Sequence, residues 1–242
     1  MERKRIDRFL MLAALVMVLV DLQANAAVVE ELVIDGTPAI ANIASMPKGQ
    51  TYGRWAVEWQ QWAFQLPAAV NPLLDTTGEH CAQRQLDKVW FLAGSIVGPV
   101  ERTCTIPAGK ALFFPLIYTG YGAFLNDPPN TRTQKYVRAT GSCTEPVQIS
   151  VWIDDFKVPK PTRFFTGASG SQSPFFNLQL PPGNVYGFDE TVVPELVLSP
   201  TAEQGYYLFV QPLPTGPHTI RWLASGCTPE TSQDVTYHLT VK

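Results

Sequence analysis

Between residue 27 and residue 242 the sequence has no run of the roughly twenty apolar residues that a membrane-crossing helix requires. It also lacks the N-x-S/T sequon, any C-x-x-C or Cys/His spacing suited to zinc, the H-E-x-x-H helix, a calcium loop and a Gly-Lys-Ser/Thr phosphate turn. We therefore expect no membrane span in the mature chain, no asparagine-linked glycan and no cofactor. Charge is scarce as well, at 16% of residues, and beyond residue 26 no stretch concentrates basic side chains. Without a positive patch to neutralise phosphates, nucleic acid is not an expected partner.

The first 26 residues differ from the rest. Arg3, Lys4, Arg5 and Arg8 precede an apolar run over 9–20, and Ala24-Asn25-Ala26 supplies small residues on both sides of one position. That order is the pattern of a secretory signal peptide, with cleavage expected after Ala26. Its removal takes four of the 18 basic and three of the 21 acidic residues, leaving 14 against 18 and a net charge of −4. We expect an exported protein, periplasmic or extracellular. Residues 27–50 read as a lead-in containing a short strand, and 51–242 as one domain.

An exported chain with four cysteines, Cys81, Cys104, Cys143 and Cys227, is expected to hold two disulfides. Three pairings are possible. We expect Cys81 with Cys104, which bracket a short strand unit, and Cys143 with Cys227, which would tie the back half together. The 21 prolines and 17 glycines are spread along the chain, as in a fold of many short strands. "VERTCTI" and "ALFFPLIY", separated by "PAG", read as a hairpin, with Pro115 at an edge or bulge. In "VQISVWIDDFKV", Val147, Ile149, Val151 and Ile153 alternate as on a half-buried strand, and Asp154 and Asp155 fall at the following turn. Residues 126–141 read as a loop or short helix, and "SPFFNLQL" as a strand. "GYYLFVQPLPTGPHTIRWLASG" reads as a hairpin before a last strand with Val235, Tyr237, Leu239 and Val241 on one face. The fold class expected is a mostly-β antiparallel sandwich, immunoglobulin-like or jelly-roll-like, carrying one N-terminal amphipathic helix. "EQGYYLFV" fits the start of a late sandwich strand with its corner tyrosine.

That helix is expected over about 51–65, in "TYGRWAVEWQQWAFQ", ending where Leu66 precedes Pro67. At 100° per residue Trp55, Trp59 and Trp62 fall within about 60° of each other, and Leu66 lies on the same line. Such a stripe either stacks on sugar rings or packs the helix onto the sheet. Burying three indoles is worth on the order of 15 kcal/mol gross, as much as the net stability of a whole domain, and Leu66 has no stacking role. We therefore assign Trp55, Trp59, Trp62 and Leu66 to the core.

The segments "YGRWAVEWQQWAFQLPAAVNPLLDTTGEHC", "VWFLAG", "RTCTIPAGKALFFPLI" and "GYYLFVQPLPTGPHTI" together resemble a family of exported bacterial proteins without an assigned activity. In that family a tryptophan often stands where this sequence has Gln60. The resemblance runs from about Thr51 to the end and implies a shared fold and export. It carries no catalytic residue or cofactor to transfer.

No complete catalytic set is visible. Asp75, Glu79 and His80, with Asp87 nearby, could offer metal ligands, but their spacing fits no metal loop, and an Asx turn accounts for Asp75. Asp154 and Asp155 are neighbours at a turn, and pairs such as Glu58 with Asp75 or Asp189 with Glu190 need a cleft to become an acid and a base. His218 and His238 have no nucleophile in sequence view. "GASGS" around Ser169 ends in Ser171 and so misses the G-x-S-x-G elbow. The function expected is non-catalytic binding of a glycan or an envelope protein through loop aromatics, Tyr118, Tyr121, Phe175 and Phe176. A hydrolase assembled from distant segments and a structural envelope protein are the alternatives.

Overall fold

The computed structural model describes residues 32–34, 37–168 and 170–242; the expected signal peptide and Ser169 lie outside the described residues. In chain order the strands begin with β1 (Val33–Ile34), β2 (Thr37–Pro38), β3 (Val89–Phe91), β4 (Val100–Ile106) and β5 (Ala111–Phe124). They continue with β6 (Glu145–Ile153), β7 (Phe156–Lys157), β8 (Phe176–Gln179), β9 (Val197–Val210), β10 (Gly216–Cys227) and β11 (Ser232–Val241). Two α-helices lie among the described residues, α1 (Tyr52–Phe64) and α2 (Gln134–Thr140).

The first seven residues of β5 are all buried, and their side chains explain why this run is apolar without alternation. Phe113 packs toward α1, its ring centroid 6.4 Å from that of Trp55. Phe114, on the opposite face, lies 5.1 Å from Trp222 of β10. A strand covered on both faces has no polar side to write into its sequence. β5 runs inside a four-stranded sheet of order β3-β5-β9-β8, while β4-β11-β10-β6-β7 form a five-stranded sheet. The fold is thus mostly β, with two packed sheets sharing one core and α1 laid on the outer face of the smaller sheet.

Both sheets are mixed, which corrects the expectation of a purely antiparallel fold. β3 pairs with β5 in parallel, and so does β4 with β11. Neither expected hairpin forms across its proline-rich turn: "PAG" carries the chain from β4 in one sheet to β5 in the other, and "QPLPTG" carries it from β9 to β10. Alternation and a turn signal mark strand ends equally well whether the chain folds back or switches sheets. Pro115 does sit at a bulge, where the β5–β9 register shifts between Pro115 and Ile117. A second helix, α2, interrupts the 126–141 segment, capped by the Thr133 hydroxyl, which accepts from the Tyr136 N–H.

Helix α1 starts where the Thr51 hydroxyl accepts the Arg54 N–H and stops before Pro67. Buried Asn71 donates through Nδ2 to the carbonyls of Ala63 and Leu66, at 2.7 and 2.9 Å, satisfying groups that the helix end leaves free. Trp55, Trp59, Trp62 and Leu66 are 4%, 0%, 6% and 2% exposed. Each indole N–H donates to a loop carbonyl: Trp55 to Pro47, Trp59 to Leu92 and Trp62 to Gln83. The stripe therefore buries apolar area without stranding its polar atoms.

Both expected disulfides are present. Cys81–Cys104 ties the loop after α1 to β4, and Cys143–Cys227 ties the segment after α2 to the end of β10. Beside the first, Arg102 points inward from β4 and is 1% exposed. It donates to the carbonyls of Asp75, Ala93 and Gly94 and to the Tyr237 hydroxyl, pinning two loops to the last strand. Replacing Trp59 by alanine removes a fully buried indole and its hydrogen bond. A loss of about 3–5 kcal/mol of unfolding free energy is expected, read from the urea midpoint.

Candidate functional site

Most of the polar residues singled out from sequence have local structural duties. The Asp75 carboxylate accepts from the backbone N–H groups of Thr77, Gly78 and His80 and from the Thr77 hydroxyl. Burial opposes its ionisation, but those donors outweigh it and hold the carboxyl below its usual range. Glu79 and Asp87 are exposed, and among the described residues no three His, Cys, Asp or Glu side chains gather as a metal site. Asp154 binds His218 Nδ1 at 2.9 Å, and the other ring nitrogen lies 2.9 Å from the Pro214 carbonyl, so both nitrogens are engaged in holding the β9–β10 connection. Asp155 is exposed beside Asp154. His238 pairs with Glu101 at the surface, Glu58 accepts from Gln50, and Asp189 accepts from Thr191. Glu190 is exposed next to Asp189. Ser171 is buried, donating to the carbonyls of Phe165 and Ala168.

The four aromatics expected to be displayed fare differently. Phe176 is 9% exposed and faces inward from β8, which corrects that expectation: the "SPFF" loop becomes a strand one residue earlier than its tip would need. Phe175 is half-buried beneath the Arg138 guanidinium, 4.4 Å from its ring centroid. Tyr121 is half-buried and packs edge-on against Tyr136. Tyr118 and Tyr121 both line a cavity of about 290 Å³ that follows the second half of β5.

That cavity lies along a stretch of β5 that contains two glycines. Tyr118, Gly120 and Gly122 occupy alternate positions and so share one face of β5. Tyr118 lies edge-on to Trp59 at 5.2 Å, which fixes this face as the one toward α1. Beyond it Gly120 and Gly122 follow on the same face, where a Cβ at 122 would strike Leu198 and Thr201. Gln60 and Phe64 of α1 and Tyr186 of the 184–188 loop complete this side. The Phe64 and Tyr186 rings stack at 5.3 Å, nearly parallel. Tyr186 is 46% exposed overall, yet protein surrounds its hydroxyl, and burial pushes that group up to about 12.

Behind the cavity wall lies a polar group that no sequence motif announced. In the β5–β9 register Gly120 stands opposite Glu203 and Tyr118 opposite Gly205. Glu203, Gly205, Tyr207 and Phe209 share one face of β9, and Phe209 packs on Trp55, so Glu203 looks toward α1 beside Gly120. Glu203 is 1% exposed. The Tyr207 hydroxyl donates to its Oε2 at 2.6 Å, whereas Oε1 has no hydrogen-bond partner. The expected corner tyrosine thus holds a carboxylate four residues upstream rather than backbone. On the helix side Gln60, 4% exposed, lies beside the Tyr207 phenol, and its Nε2 is also unpartnered. Arg138 approaches from behind, donating to Ser173 and to the Glu203 carbonyl.

Burial raises the Glu203 carboxyl from 4.5 to about 7, against the opposing pull of the Tyr207 and Ser173 hydroxyls and the Arg138 charge. Tyr118 is likewise raised well above its ordinary value, by burial first and then by Tyr186 and Glu203. The signal for Glu203 was available in the sequence: it is the one charge at an inward position of the alternation that includes Tyr207 and Phe209.

No protein-family model matches the chain, and no curated protein matches it by sequence. Among solved structures, the crystal structure of the cysteine protease inhibitor EhICP2 from Entamoeba histolytica is matched at 15% identity over 63% of this chain and 96% of that one. The TM-score of that match is 0.21, and it carries no functional argument.

Because the folded protein holds the Glu203 proton more tightly than the unfolded chain, stability falls as pH rises from about 4.5 to about 7 and is level above that. The cost of keeping this carboxylate ionised is on the order of 3 kcal/mol. Asp75 acts in the opposite sense, its contribution being lost as the pH drops below the ordinary carboxylate range. Urea midpoints measured from pH 4 to pH 9 are expected to show the decline in the wild type and a much flatter profile in Glu203→Gln.

Proposed function

We propose that this is an exported, non-catalytic binding protein that takes a small saccharide ring into the cavity between α1 and the second half of β5. The observation that carries this reading is the composition of the cavity: aromatic side chains of Phe64, Tyr118 and Tyr186 beside a stretch of β5 that contains Gly120 and Gly122. Aromatic faces cover the apolar faces of sugar rings, and a glycine wall lets a ligand approach main chain closely. The volume is near the lower end of ligand pockets, which run roughly 300–1,000 Å³, and suits one ring better than an extended chain.

Export is supported by the two disulfides and by the basic, apolar, small-residue order of the first 26 residues. The two packed sheets are compatible with the sandwich class, in which binding segments are carried on a rigid frame. Hydrolysis is the second reading, favoured by one observation, a buried carboxyl held near neutrality. It needs a second carboxylate roughly 5–9.5 Å away, and the charged partner felt by Glu203 is Arg138. Release of nitrophenol from nitrophenyl glycosides, abolished in Glu203→Gln, is the outcome that would favour it.

The binding reading is tested by titrating the mature protein with methyl glycosides of common hexoses while following tryptophan emission, which Trp59 reports through its contact with Tyr118. At least one sugar is expected to change the emission saturably at millimolar concentration or below. Tyr186→Ala, which removes a ring that lines the cavity and stacks between Phe64 and Phe188, is expected to weaken that binding roughly tenfold. Absence of any response across the panel would sink the proposal.

A further inference from the structure

A second cavity, of about 690 Å³, lies between the lead-in segment 40–47, the turn at Arg163 and Phe164, and Gln211 just past β9. It shares no lining residue with the first. Its walls are pinned to the core. The Ala41 N–H donates to the Phe209 carbonyl, the Ala41 carbonyl accepts the Tyr52 hydroxyl, and the Pro47 carbonyl accepts the Trp55 indole N–H. On the other side the 3₁₀ turn Pro161–Arg163 leads into Phe164, whose carbonyl accepts the Tyr207 N–H. Ile40, Ile43, Met46 and Pro47 make the lining largely aliphatic, and Met46 is 61% exposed. Arg163 is the one charged residue of that lining. Its guanidinium carbon lies 4.7 Å from the Phe164 ring centroid. Burial pushes the Tyr52 hydroxyl up and the Arg163 charge pulls against it, so the cation is felt at the Ala41 side of the cavity. Arg102, Arg132 and Arg138 spend donors on protein carbonyls, and Arg221 faces Asp234. The Arg163 side chain has no hydrogen-bond or ion-pair partner among the described residues.

We propose that this cavity binds a single-chain aliphatic carboxylate, its two oxygens on the Arg163 N–H groups and its alkyl chain against Ile40, Ile43 and Met46. The site goes beyond the saccharide reading and does not depend on it. A guanidinium stacked on an aromatic ring keeps its edge donors free, and their planar fork matches the two oxygens of a carboxylate. No carboxylate lines the cavity to compete for that fork or to repel an anion. The chemistry of the lining narrows the ligand from both ends. A short anion without a chain gains only a solvent-exposed ion pair, which is weak. A neutral chain gains the apolar walls and leaves the arginine unused, and a cation meets it as a like charge. Methionine is unbranched and adaptable, which suits it to covering a flexible chain, and each methylene buried there raises affinity roughly three- to fourfold. The Phe164 ring is packed by Tyr52 and Arg163, so the site favours an alkyl chain over a stacked sugar.

The test is a titration of the mature protein with octanoate, octan-1-ol and acetate, followed by the NMR signals of backbone amides and of the Arg163 Nε–H. Octanoate is expected to shift the amides of Ile43 and Met46 and the Arg163 side-chain signal saturably, at submillimolar concentration. Octan-1-ol should bind at least about tenfold more weakly, because it cannot pair with the guanidinium, and acetate should give no saturable shift. Arg163→Gln is expected to bring octanoate down to the level of octan-1-ol. Its melting temperature should stay near wild type, since the side chain lost is exposed and holds no hydrogen bond. Met46→Ser, at another exposed position, should weaken octanoate and octan-1-ol by a similar factor and leave their ratio unchanged. The proposal is overturned if octanoate gives no saturable shift, if its shifts fall outside this cavity, if the alcohol binds as tightly, or if Arg163→Gln keeps the preference for the carboxylate. None of these outcomes bears on the saccharide reading, which concerns the other cavity.

Discussion

The constraint on which the architecture rests is that the first seven residues of β5 are apolar and buried on both faces. Phe113 and Phe114 point in opposite directions from adjacent positions, and each needs a cover. The five-stranded sheet supplies one through Trp222, and α1 supplies the other through its tryptophan line. The helix is therefore a structural layer in its own right. Its length then decides where the cavity lies. Past Trp59 the strand beneath presents Tyr118, Gly120 and Gly122, and the cavity runs along this stretch.

Much of this was legible in the sequence. The helix showed itself through its 3.6-residue period, the threonine before it and the proline after it, and the arithmetic of three indoles marked its stripe as interior. Two disulfides followed from reading the four cysteines as those of an exported chain. Strand positions followed from alternation in "VERTCTI" and in the last ten residues. Sheet assignment did not, because "PAG" and "PLPTG" look the same whether the chain returns beside itself or crosses to the facing sheet. The parallel pairs were hidden for the same reason: nothing local in Val100 or Val235 records that they are partners. Inward charges were visible but unread. Arg102 and Glu203 both occupy buried positions of alternating strands, and asking what could satisfy them would have pointed to the loop clamp and to the cavity.

Those two buried charges illustrate opposite solutions. Arg102 directs its donors at carbonyls of two loops and at one phenol, so its burial organises the chain around it. Glu203 is half satisfied, with one oxygen held by Tyr207 and the other free. A fully paired polar group rigidifies a core, whereas a half-paired one keeps a standing cost that the fold must carry. The neighbouring polar atom left free belongs to Gln60, a residue of the cavity lining. Phe176 and Phe175, by contrast, turned out to serve packing and a cation contact, which shows how poorly loop composition alone ranks aromatic residues for display.

The placement of β11 between β4 and β10 has a kinetic side. Among the described residues strand β4 has only β11 as a neighbour in its sheet, and the two are far apart in the chain: Arg102 and Tyr237, which meet in the core, are 135 residues apart in sequence. A sheet closed by such distant segments forms late, because the loop entropy must be paid before the contacts return anything. Until the last strand arrives, β4 offers an open edge and an unsatisfied arginine, and the chain around it has no native place to settle. For a chain exported as proposed above, slow closure would be a convenience: the chain would stay unfolded long enough to cross a membrane, and its interior would be sealed only on the far side.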